Sequence, residues 1–168
     1  MARGLRDAFR HHSWATLRLL DACQGLTEEQ LLAPAPGLYG GVLKTLRHVV
    51  GADAWYLFVL TGGRVPRIDE DTLDLTGLRA CTERHAAAWE DVLREELDPD
   101  ADVVAHGDDG SESHARAGIR LAQALHHGSD HRSQVCTQLT ALGIEPPDID
   151  VWAYGEEVGR VSEGPLRG

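Results

Sequence analysis

The chain has 168 residues, the length of a single domain that can bury one hydrophobic core without disulfide bonds. Its 27 acidic side chains outnumber its 16 lysines and arginines, so the formal net charge is −11. A surface of this charge repels the phosphate backbone, which excludes nucleic acid as an expected partner.

Membrane insertion and secretion are also not expected. The longest apolar run, residues 54–60, is too short to cross a bilayer, and the basic N-terminal segment lacks the apolar stretch of a secretion signal. The three cysteines, Cys23, Cys81 and Cys136, are odd in number and show no C-x-x-C spacing, which is typical of a reducing compartment. We therefore expect a cytoplasmic protein whose cysteines are small apolar core residues.

Apolar residues recur at helical spacing through the first part of the chain. The pattern predicts an amphipathic helix over residues 3–24 that ends at Gly25. Thr27 and Gln30 have the spacing of a capping box, which predicts a short helix at the segment LTEEQLL. After a Pro- and Gly-rich break, residues 42–60 have helical length and few polar residues in their second half, which predicts a buried helix.

Two further long helices are predicted in the second half. The first has Thr76 as its N-cap and is closed by Pro99. Residues 102–117 then contain a D-D-G turn between short runs, which predicts either a small β-hairpin or a polar loop. The last helix is expected over residues 118–142, because Gly143 is a typical C-terminal stop.

Four long helices joined by moderate loops predict an all-α four-helix bundle, with the possible hairpin between its third and fourth helices. We expect one domain over residues 1–155 and a flexible C-terminal tail over residues 156–168. The aromatic segment AWYLFVL offers an apolar face through which two chains could associate, so a homodimer is expected.

A group of histidines lies in the last predicted helix, in the segment ALHHGSDHRSQV. His127 and His131 are four residues apart and share one helix face, with Cβ atoms about 5–6 Å apart, the geometry of a metal chelate. His126 is rotated by about 100° and is expected to be a bystander. Since two histidines hold a metal only loosely, a third must come from another helix.

His48 is the best candidate for that third ligand, because it lies in an otherwise apolar helix where an unpaired imidazole costs free energy. Each observation has a simpler explanation. A chain with nine histidines contains an H-x-x-x-H spacing by chance, and a lone histidine in a core helix usually has a hydrogen-bond partner. A metal site explains both observations together. Three imidazoles suit Zn or Ni best, with Fe, Mn or Cu as alternatives, and leave a position for water or substrate.

The chain resembles the DinB-like family over essentially its whole length. The resemblance is carried by four segments: FRHHSWATLRLLDACQGLTEEQL, TLRHVVGADAWYL, HGSDHRSQV and PPDIDVWAY. Members of this family are bacterial four-helix bundles that hold a divalent metal through three histidines. The resemblance therefore implies that His48, His127 and His131 are the metal ligands, as their spacing also predicts.

Other residues match the family less decisively. Arg132 and Gln134 fall on its H-x-x-x-H-R-x-Q motif, whereas Ser133 stands where glycine is common and His126 where asparagine is frequent. Asp53 occupies a position that is often acidic in the family. It could support a ligand from behind, although a solvated or salt-bridged side chain is the favoured interpretation.

His12 belongs to the first helix, on a stripe that could bring it towards the core for a role in substrate binding or proton transfer. A surface position is the favoured interpretation for this residue. The sequence assigns no catalytic residue.

Relatives in this family include metal-dependent transferases and isomerases that use a low-molecular-weight thiol such as bacillithiol, mycothiol or glutathione. The resemblance thus implies an enzyme that activates a thiol for S-transfer, or water for hydrolysis, on a small-molecule substrate. The alternative is a stress-associated, non-catalytic protein that binds a metal for stability or forms a structural dimer.

Overall fold

The computed structural model describes residues 3–34, 39–95, 97–162 and 164. Helices dominate this part of the chain, and a small antiparallel hairpin accompanies them. In chain order the elements are α1 (Arg3–Cys23), α2 (Glu28–Leu32), α3 (Val42–Leu60), α4 (Leu75–Arg94), β1 (Asp102–His106), β2 (Glu112–Arg116), α5 (Ala117–Ala141) and α6 (Val151–Glu157). The predicted helical fold with a small hairpin is confirmed at this level.

The helix starts follow from local capping chemistry. Thr27 Oγ1 accepts the backbone N–H of Gln30 at 3.2 Å, and Gln30 Oε1 accepts that of Thr27 at 2.9 Å, so the predicted capping box is present. The predicted cap at Thr76 is wrong. Asp74 caps α4 instead, because its carboxylate accepts the N–H of Gly77 at 2.8 Å and leaves Thr76 inside the first turn.

The four long helices pack so that α1 and α3 each contact both α4 and α5. This arrangement makes α3 and α5, the helices with the candidate metal ligands, direct neighbours. Buried apolar side chains form two separate clusters within the core. The first cluster contains Leu19, Leu20, Cys23, Val42, Leu46, Val50, Leu75, Leu78, Cys81, Val135 and Leu139. The second cluster contains Phe9, Leu57, Trp89, Val92, Leu93, Leu121 and Ala124.

The cysteines behave as expected of apolar residues. Cys23 and Cys81 are buried in the first cluster, and Cys136 is half-buried beside it. Burial raises the pKa of the Cys23 thiol to about 12, so this group stays protonated at neutral pH. A nucleophilic role for Cys23 is therefore not supported by its surroundings.

For residues 102–117 the sequence predicted either a β-hairpin or a polar loop, and the structure has a hairpin. Strands β1 and β2 pair antiparallel, with Asp102 opposite Arg116 and His106 opposite Glu112. Gly110 lies in the connecting turn with a φ of 82°, a conformation that favours glycine. Arg120 of α5 donates hydrogen bonds to carbonyls of both strands, which fixes the hairpin against the start of that helix.

The C-terminal part contains a helix that the sequence did not predict. Asp150 caps α6 by accepting the N–H of Ala153 at 2.7 Å, and the helix continues to Glu157. The expected domain boundary at residue 155 therefore falls within α6. Arg160 then forms an ion pair with Asp7 of α1 at 2.6 Å. Part of the expected tail, residues 163 and 165–168, lies outside the described residues.

Membrane insertion was tested on the helices themselves. Within the described ranges, none of them combines the length and the apolar character that a bilayer crossing requires.

Candidate metal centre

Three histidines from α3 and α5 meet at the surface between these helices. His127 and His131 point to the same side of α5, as their spacing predicts, and His48 of α3 faces them. The Nε2 atoms of His48 and His127 are 3.0 Å apart, and one donor nitrogen from each of the three rings lies within 4.8 Å of the others. We call these residues the three-histidine group.

One side of the three-histidine group is open to solvent. All three side chains are only partly buried. Among the residues that the structure describes, no fourth histidine, cysteine, aspartate or glutamate joins the group. The protein therefore supplies three donors whose side chains are partly exposed to solvent.

Gln134 holds the ring of His131 in one tautomer. The amide Oε1 of Gln134 accepts the Nδ1–H of His131 at 3.0 Å, and it also accepts the backbone N–H of Tyr39 at 3.3 Å. Because an amide oxygen can only accept, the His131 proton lies on Nδ1 and the lone pair lies on Nε2. This is the kind of outer support that histidine ligands of metals commonly have.

An aromatic ring and a carboxylate lie next to His48. The ring of Tyr39 stacks on the imidazole with centroids 4.1 Å apart and an interplanar angle of 16°. Glu70 Oε1 lies 3.9 Å from Nδ1 of the same imidazole. Glu70 reaches this position over Gly51 of α3, where a Cβ atom would overlap its carboxylate. The glycine within α3 thus makes room for an acidic group beside the imidazole.

Two of these imidazoles are neutral at physiological pH. Burial, together with the neighbouring His131 and His48, lowers the pKa of His127 to about 4. Burial also lowers the pKa of His48, together with His131 and Lys44. Neutral imidazoles keep the lone pair that a metal ligand needs.

The donor set fits a divalent transition metal. The 3.0 Å between the Nε2 atoms of His48 and His127 is shorter than twice a zinc–nitrogen distance of about 2.0–2.1 Å, so one ion can contact both. The donor nitrogen of the third ring lies within 4.8 Å of the other two. Three imidazole nitrogen donors with one open side match the donor set of catalytic zinc sites.

The structure corrects the predicted position of His12. The residue is 1% exposed rather than on the surface. Its Nε2 lies 2.9 Å from both carboxylate oxygens of Asp53, and its Nδ1 accepts a hydrogen bond from Arg132 Nη1 at 3.0 Å. The correct location follows from helix periodicity, because His12 shares a face with the buried Phe9 and Thr16.

Asp53 is likewise buried, so the solvated alternative is wrong, and its carboxylate contacts His12 Nε2 at 2.9 Å. Burial acts to raise the pKa of Asp53, but His12, together with His85 and Arg132, outweighs it and the net shift is downward. Burial lowers the pKa of Arg132 to about 10, with Asp53 opposing the effect. Both groups are therefore charged at neutral pH.

The predicted site residues thus fall into two sets. His48, His127, His131 and Gln134 lie together at the three-histidine group, and His126 is exposed outside it, as expected of a bystander. Arg132, Asp53 and His12 pair with one another in the interior instead.

Sequence reasoning missed two contributors to the three-histidine group. Glu70 lies in a short 3₁₀ turn (Glu70–Thr72), and Tyr39 lies in the loop before α3. Neither segment has an apolar period that would have placed its side chains beside His48. The available signal was Gly51, since a glycine inside an otherwise strong helix often marks a close approach by another group.

The family follows from a comparison with protein-family models. The model of the DinB family matches residues 1–160 of the chain. The chain belongs to the DinB family. The match covers nearly the whole length and confirms the resemblance that the sequence motifs carry. A search of curated proteins returned no match.

In this DinB family member, replacement Gln134→Leu is expected to weaken metal binding without removing a ligand. The leucine leaves the Nδ1–H of His131 without its acceptor, so the ring can adopt the wrong tautomer or turn away. Loss of such a partner typically reduces metal affinity by about 10- to 100-fold. Competition for Zn²⁺ with a chromophoric chelator measures the change. The exposed Gln24 is the matched control, and an equal effect of Gln24→Leu would contradict the assignment.

Proposed function

We propose that this DinB family member is a metal-dependent enzyme in which His48, His127 and His131 bind one divalent cation. The observation that carries the proposal is the half-exposed three-histidine group, with no fourth protein ligand among the described residues. Structural zinc sites are closed by four protein ligands, whereas catalytic sites keep a position for water or substrate. Nitrogen donors favour zinc or nickel.

The proposal includes the architecture that holds the site. We propose that α1, α3, α4 and α5 form a four-helix bundle, because each of α1 and α3 packs against both α4 and α5. Sites in such bundles are built from side chains of facing helices, and α3 and α5 face each other at the three-histidine group.

The reaction class that fits is activation of a small nucleophile. A bound divalent cation supplies Lewis acidity, which favours the deprotonated form of a water or a thiol at neutral pH. Within the chain, the three imidazoles hold the ion and Gln134 keeps the lone pair of His131 on Nε2. Tyr39 covers one face of His48, so an incoming molecule reaches the site from the remaining side.

The nucleophile is either water, which gives hydrolysis, or a low-molecular-weight thiol, which gives S-transfer to a small-molecule acceptor. The DinB family match supports both branches equally. A metal held only for stability would be closed by four protein ligands, and the partial exposure of all three histidines speaks against that form of the non-catalytic alternative.

The test combines metal content with ligand binding. We expect the purified chain to hold about one zinc or nickel ion per molecule, measured by elemental analysis. Thermal unfolding of the loaded protein is then followed with a panel of small thiols and their hydroxyl analogues. A thiol at 100 times its Kd is expected to stabilise the fold by about 2.7 kcal/mol.

Three outcomes are informative. Stabilisation by a thiol and not by its hydroxyl analogue supports S-transfer. Stabilisation by no thiol, with turnover of ester or amide substrates, supports hydrolysis. A protein that holds no metal after exposure to zinc and nickel contradicts the proposal.

A further inference from the structure

A layer of polar side chains divides the interior between the two apolar clusters. The layer consists of His12 of α1, Asp53 of α3, His85 of α4 and Arg132 of α5, each at most 5% exposed. On each of the four helices, the polar residue lies between members of the first cluster and members of the second cluster. The layer therefore crosses the whole core. We call it the polar layer.

We propose that Arg132, His12 and Asp53 are positioning residues that set the spacing between the two helices bearing the three-histidine group. This inference rests on the proposed function, because it assigns a role in metal binding to residues that do not touch the metal. Asp53 lies on α3, five residues after His48, and Arg132 directly follows His131 on α5. His12 connects them from α1.

The hydrogen bonds in this connection have only one consistent arrangement. Arg132 Nη1 can only donate, so His12 Nδ1 must be the acceptor at 3.0 Å. His12 Nε2–H then donates to the Asp53 carboxylate at 2.9 Å. Arg132 Nη1 also donates to Thr16 Oγ1 at 3.3 Å. Since all three groups are buried, water cannot replace a lost partner, and the connection holds α1, α3 and α5 at defined distances.

Gly128 shows that α5 lies directly against this connection. The residue falls between His127 and His131 in the sequence, and it is rotated around the helix by about 100° from His127 and by about 60° from His131. A Cβ atom at position 128 would overlap the His12 ring and lie 2.8 Å from Arg132 Nη1. The turn that presents two metal ligands to α3 therefore presents bare backbone to His12, and a shift of the His12 ring moves the ligands with it.

Metal binding is sensitive to such a shift. An ion contacts its nitrogen donors at about 2.0–2.1 Å, so a change of a few tenths of an ångström between α3 and α5 weakens at least one contact. The alternative is that the polar layer only stabilises the fold. The two roles differ in what they predict for a variant that stays folded.

The experiment compares three variants of the full chain. His12→Leu removes both hydrogen bonds, and His12→Gln retains one donor and one acceptor in a similar place. Leu78→Ala is the control, because Leu78 is buried on α4 in the first cluster and contributes nothing to the polar layer. Each protein is titrated with Co²⁺, its visible absorption bands are recorded at saturation, and its metal-free form is unfolded in urea.

We expect His12→Leu to lower Co²⁺ affinity by about 10-fold or more and to change the intensity of the absorption bands, which depends on coordination geometry. His12→Gln should restore most of the affinity. Leu78→Ala should lower the urea midpoint while its Co²⁺ affinity and bands stay as in the unmodified protein.

The inference is overturned if His12→Leu binds Co²⁺ as the unmodified chain does, or if Leu78→Ala loses as much affinity as His12→Leu. Should His12→Leu fail to fold, Asp53→Asn takes its place, because it keeps the shape of the side chain and removes its charge; unchanged affinity and bands in Asp53→Asn would equally overturn the inference. An unmodified chain that binds no Co²⁺ instead contradicts the proposed function, and this inference with it.

Discussion

Replacing His127 with alanine is expected to remove the bound metal. His127 is one of the three donors of the three-histidine group, with its Nε2 only 3.0 Å from that of His48 and with His131 one helical turn away. The two remaining imidazoles hold an ion only loosely. We expect the affinity for Zn²⁺ to fall by more than about 100-fold, beyond the loss that follows removal of an outer partner. Elemental analysis after dialysis measures the metal content.

The neighbouring His126 provides the matched control. His126 is exposed and its side chain is rotated by about 100° from that of His127, so it lies outside the three-histidine group. His126→Ala is expected to keep its full metal content. A His127→Ala protein that still holds as much metal as His126→Ala would show that these residues do not form the binding site.

Replacing Arg132 with methionine is expected to have the largest effect on stability. The change removes the guanidinium that opposes the charge of Asp53 and leaves this carboxylate buried beside His12 alone. Breaking a buried charge pair on one side typically costs 3–5 kcal/mol. We expect the free energy of unfolding, measured in urea on the metal-free protein, to fall by about this amount.

Two further variants separate the charge effect from simple loss of an arginine. Arg64 forms an ion pair with Glu95, but its side chain is 62% exposed, so Arg64→Met should leave the free energy of unfolding almost unchanged. The double variant Asp53→Leu with Arg132→Met leaves neither charge and should recover most of the lost stability. Arg132→Met costing no more than Arg64→Met would contradict the interpretation.

Much of the architecture is predictable because apolar residues at helical spacing reveal which face of each helix is buried. The helix predicted over residues 42–60 has those bounds in the structure, and the last long helix differs from its prediction by one residue at each end. The convergence of His127 and His131 with His48 is predictable for a related reason, since a polar residue in an apolar helix requires a partner.

Periodicity identifies a buried face but not the partner that meets it. His12 lies 41 positions before Asp53 and 120 before Arg132, so only the packing of three helices shows that these residues pair. A surface position was favoured for His12 because the side chain is polar, although the residue lies on the apolar stripe of α1. Helix α6 was missed for another reason, because its Pro-rich approach hid the cap at Asp150.

The depth at which the polar layer lies has a consequence for helix alignment. Apolar side chains alone specify one alignment of neighbouring helices only weakly, because a core tolerates hydrophobic repacking of similar volume. In this core such a slide would push a carboxylate or a guanidinium among aliphatic groups, where neither finds a hydrogen bond. The polar layer thus fixes the alignment of the helices. We expect variants with longer or shorter loops between the helices to keep His48, His127 and His131 together.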